Sequence, residues 1–466
     1  MSIYLPYIRP FFLLLLMLIA SPSLFSDNSK LLDNKIKVIV VLNDNYNIDK
    51  GKNKRNQASN IALSMGLKAK HSFGNVLYGF STNLSHKRLA TLSNDPRIKY
   101  IEVDKLQHFP LRPNKTLKAP RCTDNPTGPG CGITPSEEST QQTPWGIERI
   151  GLAADNKAEG IHLFIIDTGI DSNHEDLQNL GVGFTTISCQ GKGKKSSCRE
   201  AWDDDNGHGT HVAGTVGAEN NAFGVIGVAP EVILHAVKVL DSRGSGYTSG
   251  IISGIDKMAA YMADMHVAYV VNMSIGGNGS KSGICSADSY QGKDSYHEAI
   301  CRATQHGAVF VVAAGNEGVD ASTKKPASYD DSSIAVSAIG RVTDSNGNVT
   351  GQFGWPSWSN WGNKSTILGH QHNSFPVAIS APGMGILSTW KDNKYETISG
   401  TSMASPHVAG AVALYLKAYP NRADYSAFIN AREALLLNEE ETNNNTFSIR
   451  GGFPHTEGFL YINNFH

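Results

Sequence analysis

The chain reads as an α/β protein, a parallel sheet with helices on both faces, preceded by a small α+β unit. Three observations predict this. Short apolar runs at 162–166, 232–239, 268–273 and 308–313 alternate with helical segments at 209–217, 249–265 and 296–306, the pattern of strands joined by crossover helices. A shorter alternation of strand and helix fills residues 35–103. Charge divides unevenly: residues 27–108 carry 14 basic and 7 acidic side chains and residues 109–466 carry 26 and 35, so with the lone Arg9 ahead of them a net −1 over 466 residues conceals +7 and −9. One globular unit seldom splits its charge in this way, and the length suits two or three units of about 150 residues. With 40% apolar and 18% charged residues, a disordered chain and a coiled coil are excluded. The acidic excess of the larger part argues against a nucleic-acid binder.

In chain order, the apolar run 11–20 follows Arg9 and gives way to Ser21-Pro22-Ser23. That is the pattern of a secretory signal peptide over residues 1–26, too short for a comfortable membrane span; the alternative is an uncleaved anchor. The sequence then predicts a strand at 35–42, a helix at 54–64, a strand at 75–81, a helix at 85–93 with Leu89 and Leu92 inward, and a strand at 98–103. A unit of this size is marginal alone and needs a partner. Residues 109–140 hold Pro110, Pro113, Pro120, Pro126, Pro129 and Pro135 with no apolar periodicity, and read as a linker. Beyond it, residues 141–466 form the α/β domain, with a last helix at 402–418 and a less informative tail after Asn421. Six cysteines fall into close sequential pairs, Cys122/Cys131, Cys189/Cys198 and Cys285/Cys301. In an exported chain local disulfides are the economical reading, with free thiols as the alternative and the connectivity left open.

Polar residues stand where strands end. Asp167 closes the first apolar run, and a carboxylate there is costly unless paired. His208, in Gly207-His208-Gly209-Thr210-His211, opens a helix rich in small residues, and Ser402, in Gly400-Thr401-Ser402-Met403-Ala404, opens another. A serine hydroxyl is a weak nucleophile until an imidazole takes its proton, and an acid on the far ring nitrogen fixes the tautomer. A helix start aims free N–H groups at a forming oxyanion, and Asn316 in Gly315-Asn316-Glu317 offers a second donor. His208 and His211 also stand at zinc-pair spacing, but without a third ligand or a helical glutamate between them.

These segments, in the order Asp, His, Asn, Ser, closely resemble the subtilisin-like serine proteases over nearly all of residues 140–420. The resemblance implies a triad of Asp167, His208 and Ser402, with Asn316 as the oxyanion amide. It implies a peptide-binding cleft between Ser274-Ile275-Gly276 and Gly244-Ser245-Gly246, closed near Gly315 and with Glu317 at the pocket rim. The expected preference is for large or apolar side chains before the cut, with a basic component if Glu317 faces the pocket. It further implies a calcium ion held by side-chain oxygens of Gln141, Asp176 and Asn221 and by carbonyls of Glu219, Phe223 and Val225. Asp203-Asp204-Asp205 reads as a solvated charge run that offers at most a second cation site.

Residues 78–81 and 97–104 resemble the inhibitor-type propeptides of that family, which assigns 27–108 to a ferredoxin-like propeptide acting as an intramolecular inhibitor. Cleavage is expected between Gln107 and Gln141, with Pro110 disfavouring the bond after Phe109. The loops around Cys189–Cys198 and Cys285–Cys301 depart from the shortest family members, as does a segment around Trp355, Trp358 and Trp361 that either packs or forms a patch. The reading is a secreted, calcium-stabilised serine endopeptidase made as a zymogen. It acts on protein or peptide substrates as a monomer, with no nucleic-acid partner and no membrane contact after signal removal. Its rivals are a processing protease cutting after basic residues and a catalytically silent binding protein on the same scaffold.

Overall fold

The computed structural model describes residues 35–44, 53–109, 140–151, 157–189, 198–344, 348–362, 377–420, 422–440, 455 and 457–462. The N-terminal unit runs β1 (Lys35–Leu42), α1 (Lys54–Ser64), β2 (His71–Phe73), β3 (Gly79–Ser85), α2 (His86–Leu92) and β4 (Ile98–Val103). Its antiparallel sheet has the order β2-β3-β1-β4, with Val40 opposite both Phe80 and Ile101. Val38, Val40 and Leu42 pack with Ala58 and Phe80 inside the unit. Ile39 and Val41 face the other way, into a core shared with Ile251, Ile255 and Ile300. Burial on both faces is why this strand is a nearly continuous apolar run.

The strand expected at 75–81 is displaced. Pairing covers His71–Phe73 and Gly79–Ser85 instead, because the backbone N–H groups of Gly74, Asn75 and Val76 all donate to the Asp256 carboxylate of the larger unit, at 3.1, 2.6 and 3.0 Å. Amides committed to a side chain are lost to the sheet ladder.

After β5 (Leu106–His108) and α3 (Trp145–Arg149), the larger unit is built on β6 (His162–Asp167), β7 (Phe184–Thr185), α4 (His208–Gly217), β8 (Ile233–Lys238), β9 (Ser245–Tyr247), α5 (Thr248–Met262), β10 (Tyr269–Met273), α6 (Ser295–Thr304) and β11 (Ala308–Ala313). It continues through β12 (Ser333–Thr343), β13 (Val349–Gly354), β14 (Ile379–Pro382), β15 (Ile386–Trp390), β16 (Lys394–Ile398), α7 (Thr401–Ala418) and α8 (Ser426–Leu437). The main sheet has the order β13-β12-β11-β10-β6-β8-β7, with β14 beside β12. Every pair is parallel except β12 with β13.

Alternation along β6 divides the core. Leu163 and Ile165 join Val212 of α4 and Val408 of α7, while Phe164 and Ile166 join Ile251 and Ile255 of α5. The four expected strands and four helices are present. The sequence reading missed β12 and α8: Ser333, Ser337 and Gly340 interrupt the apolar run of β12, yet Ser333 and Ser337 are buried, and the Ser337 hydroxyl donates to the buried Glu457 at 2.5 Å. Trp355 and Trp358 are buried in the core, so this part of the aromatic segment packs.

Disulfides join Cys189 to Cys198 and Cys285 to Cys301. Cys122 and Cys131 lie outside the described residues, as do the signal segment and residues 110–139. Among the described residues no helix is long and apolar enough to cross a membrane.

Candidate active site

Asp167 ends β6 fully buried. Its Oδ1 accepts from Thr168 N–H at 2.7 Å and lies 2.8 Å from His208 Nδ1. That contact leaves Nε2 as the basic nitrogen facing the cleft. His208 arrives there because α4 packs tightly on the turn after Asp167: a Cβ on Gly209 would sit 2.1 Å from Gly169 O. Asp204 anchors the approach to the helix, its carboxylate accepting from Asn206 N, Gly207 N, Thr210 N and Thr210 Oγ1 at 2.7–2.9 Å. Asp203 accepts from Ser172 N, Arg199 N and Glu200 N, and Asp205 meets the fully buried Lys238 at 2.6 Å. The expected solvated run is therefore buried and hydrogen-bonded, a set of loop anchors. The His211 ring turns away from the cleft, its Nε2 3.0 and 3.1 Å from the carbonyls of Ile386 and Glu396.

Ser402 is the second residue of α7 and is buried. Its hydroxyl donates to Ser274 O at 3.4 Å, and Ser274 Oγ donates in return to Ser402 O at 2.9 Å. The second bond answers a gap in the helix: Pro406, four residues on, has no N–H for that carbonyl. Asn316 follows β11. Its Oδ1 accepts from both Thr401 N and Thr401 Oγ1 at 2.9 Å, while Gly315 N donates to Thr401 Oγ1 at 3.0 Å. With its oxygen so held, the amide presents its NH₂ towards Gly400, two residues before Ser402. Sequence reasoning missed Thr401 in this role, although its place beside Ser402 was a signal.

The cleft is lined by a strand from the N-terminal unit. Leu106–His108 pairs antiparallel with Ser245–Tyr247, and His108 exchanges backbone bonds with Gly276 at 3.1 and 2.7 Å. Phe109 N–H donates to Gly244 O, and its ring stacks on His208 with centroids 4.3 Å apart. A Cβ on Gly244 would lie 1.7 Å from that ring, and its φ of +73° also favours glycine. Gly276 thus flanks this strand on one side and Gly244, Ser245 and Gly246 on the other, while Ser274 is bonded to Ser402. Extended peptides are recognised in this manner by strand addition. Gly315 and Glu317 line an adjoining cavity of about 520 Å³.

Further bonds fix the N-terminal unit to the two helices beside the cleft. Asp256 of α5 also accepts from Arg55 at 2.6 Å and from Asn75 Nδ2. Asp104 accepts from Ser249 N and Oγ at the start of α5, Glu102 accepts from Ser295 N at the start of α6, and Lys99 and Tyr100 donate to Glu298. Carboxylates at helix N-termini meet the positive end of the dipole. Burial raises the carboxyl pKa of both Asp104 and Glu102.

The six residues expected to hold calcium come together away from the triad. Gln141 Nε2 donates to Glu219 O at 2.6 Å and Val225 O at 3.1 Å and lies 3.4 Å from Asn221 Oδ1. Asp176 accepts from Asn221 Nδ2 and Val225 N at 2.8 Å, and Phe223 N–H donates to Asn221 Oδ1. Three oxygens converging on one amide group is an arrangement a cation also satisfies, with the Gln141 amide turned to offer its oxygen. Burial pushes the Asp176 carboxyl up to about 6, a cost that a nearby dication relieves.

Residues 158–453 match the Subtilase family. The chain is 40% identical to Subtilisin DY of Bacillus licheniformis over 288 residues, covering 60% of this chain and 86% of the relative. It is 35% identical to Alkaline serine exoprotease A of Vibrio alginolyticus over 355 residues, or 74% of this chain and 53% of that protein's length. A solved structure of a cold-adapted subtilisin-like serine proteinase superposes with a TM-score of 0.51 at 32% identity, covering 70% of this chain and 99% of that one. On the matched span and these identities, the chain belongs to the subtilase family.

Proposed function

We propose that this protein is a secreted serine endopeptidase made as a zymogen, in which residues 27–108 are an inhibitor-type propeptide and residues 141–466 the peptidase. Two observations support this reading: Asp167 meets His208 at 2.8 Å, and Thr401, the neighbour of Ser402, holds the Asn316 amide oxygen at 2.9 Å. In the reaction, Ser402 Oγ attacks the substrate carbonyl carbon while His208 Nε2 takes its proton, and Asp167 stabilises the imidazolium. The oxyanion is held by Asn316 Nδ2 and the backbone N–H of Ser402. Collapse breaks the peptide C–N bond, the amine leaves with the proton from His208, and water then cleaves the acyl-enzyme by the same relay. Labelling with a fluorophosphonate probe tests the assignment: the mature chain should label and Ser402→Ala should not. Labelling that survives the substitution would remove Ser402 from its role.

Residues 106–109 lie along the cleft as a substrate strand would, which supports inhibition by the N-terminal unit. With the Phe109 ring on His208, maturation falls beyond Phe109 and before Gln141, and N-terminal sequencing of the mature form reads the bond. A calcium ion held by Gln141, Asp176, Glu219, Asn221, Phe223 and Val225 supplies charge neutralisation and structural cross-linking of the 219–225 loop. The signal at 1–26 directs export, and the mature enzyme acts as a free monomer with a broad preference for large or apolar side chains before the cut.

A further inference from the structure

We propose that Lys324 sets the charge selectivity of the pocket beside the acyl site, cancelling Glu317 so that the enzyme cuts after apolar and acidic side chains in preference to basic ones. This rests on the reading above that the cavity receives the side chain before the scissile bond.

The cavity is walled by Gly276, Gly277, Ala313, Gly315, Glu317 and Lys324 among others. Glu317 taken alone would invite a basic guest, and its surroundings decide otherwise. One carboxylate oxygen lies 3.2 Å from Lys324 Nζ, and the other accepts from Asn360 Nδ2 at 2.9 Å. Exposure separates the pair: the Lys324 side chain is 12% exposed and that of Glu317 is 42% exposed. With the N-terminal unit docked, the Lys324 stem is the better covered of the two; its ammonium bridges the exposed Asn278 wall and the Glu317 carboxylate, so a fixed positive charge offsets the fixed negative one. Lys324 Nζ also donates to Asn278 Oδ1 at 2.8 Å, so it spans two walls and is fixed in place. An ammonium has three donors, and these contacts leave one for a guest carboxylate or carbonyl.

Other charges near the cavity do not reverse this balance. Lys325 is turned to the buried Asp294 at 2.5 Å, and Lys105 belongs to the N-terminal unit and departs with it. A guest lysine or arginine would have to break the Lys324–Glu317 pair or sit beside a like charge fixed by two contacts, and such juxtapositions are disfavoured.

The test uses the full-length chain after maturation and three peptides that differ only in carrying Phe, Glu or Lys before the cut. Values of kcat/KM are normalised to active sites titrated with the fluorophosphonate. The wild type should favour the Glu peptide over the Lys peptide. Lys324→Met should raise the Lys-to-Glu ratio by about tenfold or more, and Glu317→Gln should lower it. Lys324→Gln, which keeps a polar side chain on Asn278, provides the same readout if the methionine variant folds poorly. A ratio that moves less than about twofold in both Lys324 variants, or a wild type that prefers Lys, overturns the assignment. A wild type that titrates with the probe but cleaves none of the peptides overturns the placement of the pocket, and one that does not titrate overturns the endopeptidase reading beneath it.

Discussion

Thr401 holds the Asn316 amide as Asp167 holds the His208 imidazole. Its N–H and hydroxyl both donate to Asn316 Oδ1, and the same hydroxyl accepts from Gly315 N. The amide is thereby held with its NH₂ towards the cleft before substrate arrives, the preorganisation on which oxyanion stabilisation depends. Thr401→Val keeps the shape and the backbone bond but removes the hydroxyl. It should lower kcat by about tenfold, the worth of one buried hydrogen bond. KM should change little, because the bond acts on the charge that develops in the transition state. Thr401→Ser should recover most of the rate; equal kcat values for Val and Ser variants, after active-site titration, would make Thr401 a packing residue only. Asp167, His208, Ser402 and Asn316 could be singled out in the sequence because each sits in a short motif with a chemical reason for its residue type. Thr401 was not, since a threonine beside a helix start reads as a cap.

At the scale of elements, sequence periodicity failed where backbone groups are committed to side chains. The strand expected from residue 75 does not start there, because the N–H groups of 74–76 converge on Asp256. A carboxylate accepting several N–H bonds across an interface holds that loop only while the units are docked. In the Ser402→Ala full chain, Asp256→Asn should speed amide hydrogen exchange at 74–76 relative to the β1–β3 ladder. Uniform exchange in both proteins would show that the loop is held by its own fold. The 219–225 loop makes the parallel case. Its oxygens converge on Gln141, and a cation bound there only in the folded state adds its binding energy to stability. Chelator should lower the melting temperature by about 5 °C or more in the Ser402→Ala chain. It should do far less to the same chain with Asn221→Ala. An unchanged melting temperature with chelator would remove the ion from this loop.

The charge division legible in the sequence is realised across the whole molecule as particular pairs: Arg55 with Asp256, Lys99 with Glu298, and Lys37 Nζ 3.4 Å above the Tyr247 ring. Composition gave the sign of the attraction, while the partners depend on long-range folding that no local pattern encodes. The same burial that fixes these contacts makes stability depend on pH through histidines the reaction does not use. Burial depresses His211 to about 3, and His235 and His407 to about 4. In the unfolded chain each titrates near about 6.5. Between these values the unfolded state binds protons that the folded state refuses, so stability is full above about pH 6.5 and falls as pH drops towards about 4. Each ring withholds roughly 1.4 kcal/mol per pH unit across its window. Asp104 and Glu102, raised by burial, act in the opposite sense, as does Asp176, raised to about 6, so they offset part of this loss. The Ser402→Ala chain, which cannot digest itself, should therefore melt at a markedly lower temperature at pH 5 than at pH 7.5. Replacing His235, which lies 2.8 Å from His162 and stacks on Phe164, with glutamine should flatten that slope even if it lowers the melting temperature at pH 7.5. A melting temperature constant between pH 7.5 and 5 in the parent chain would mean that these rings gain their protons within the fold.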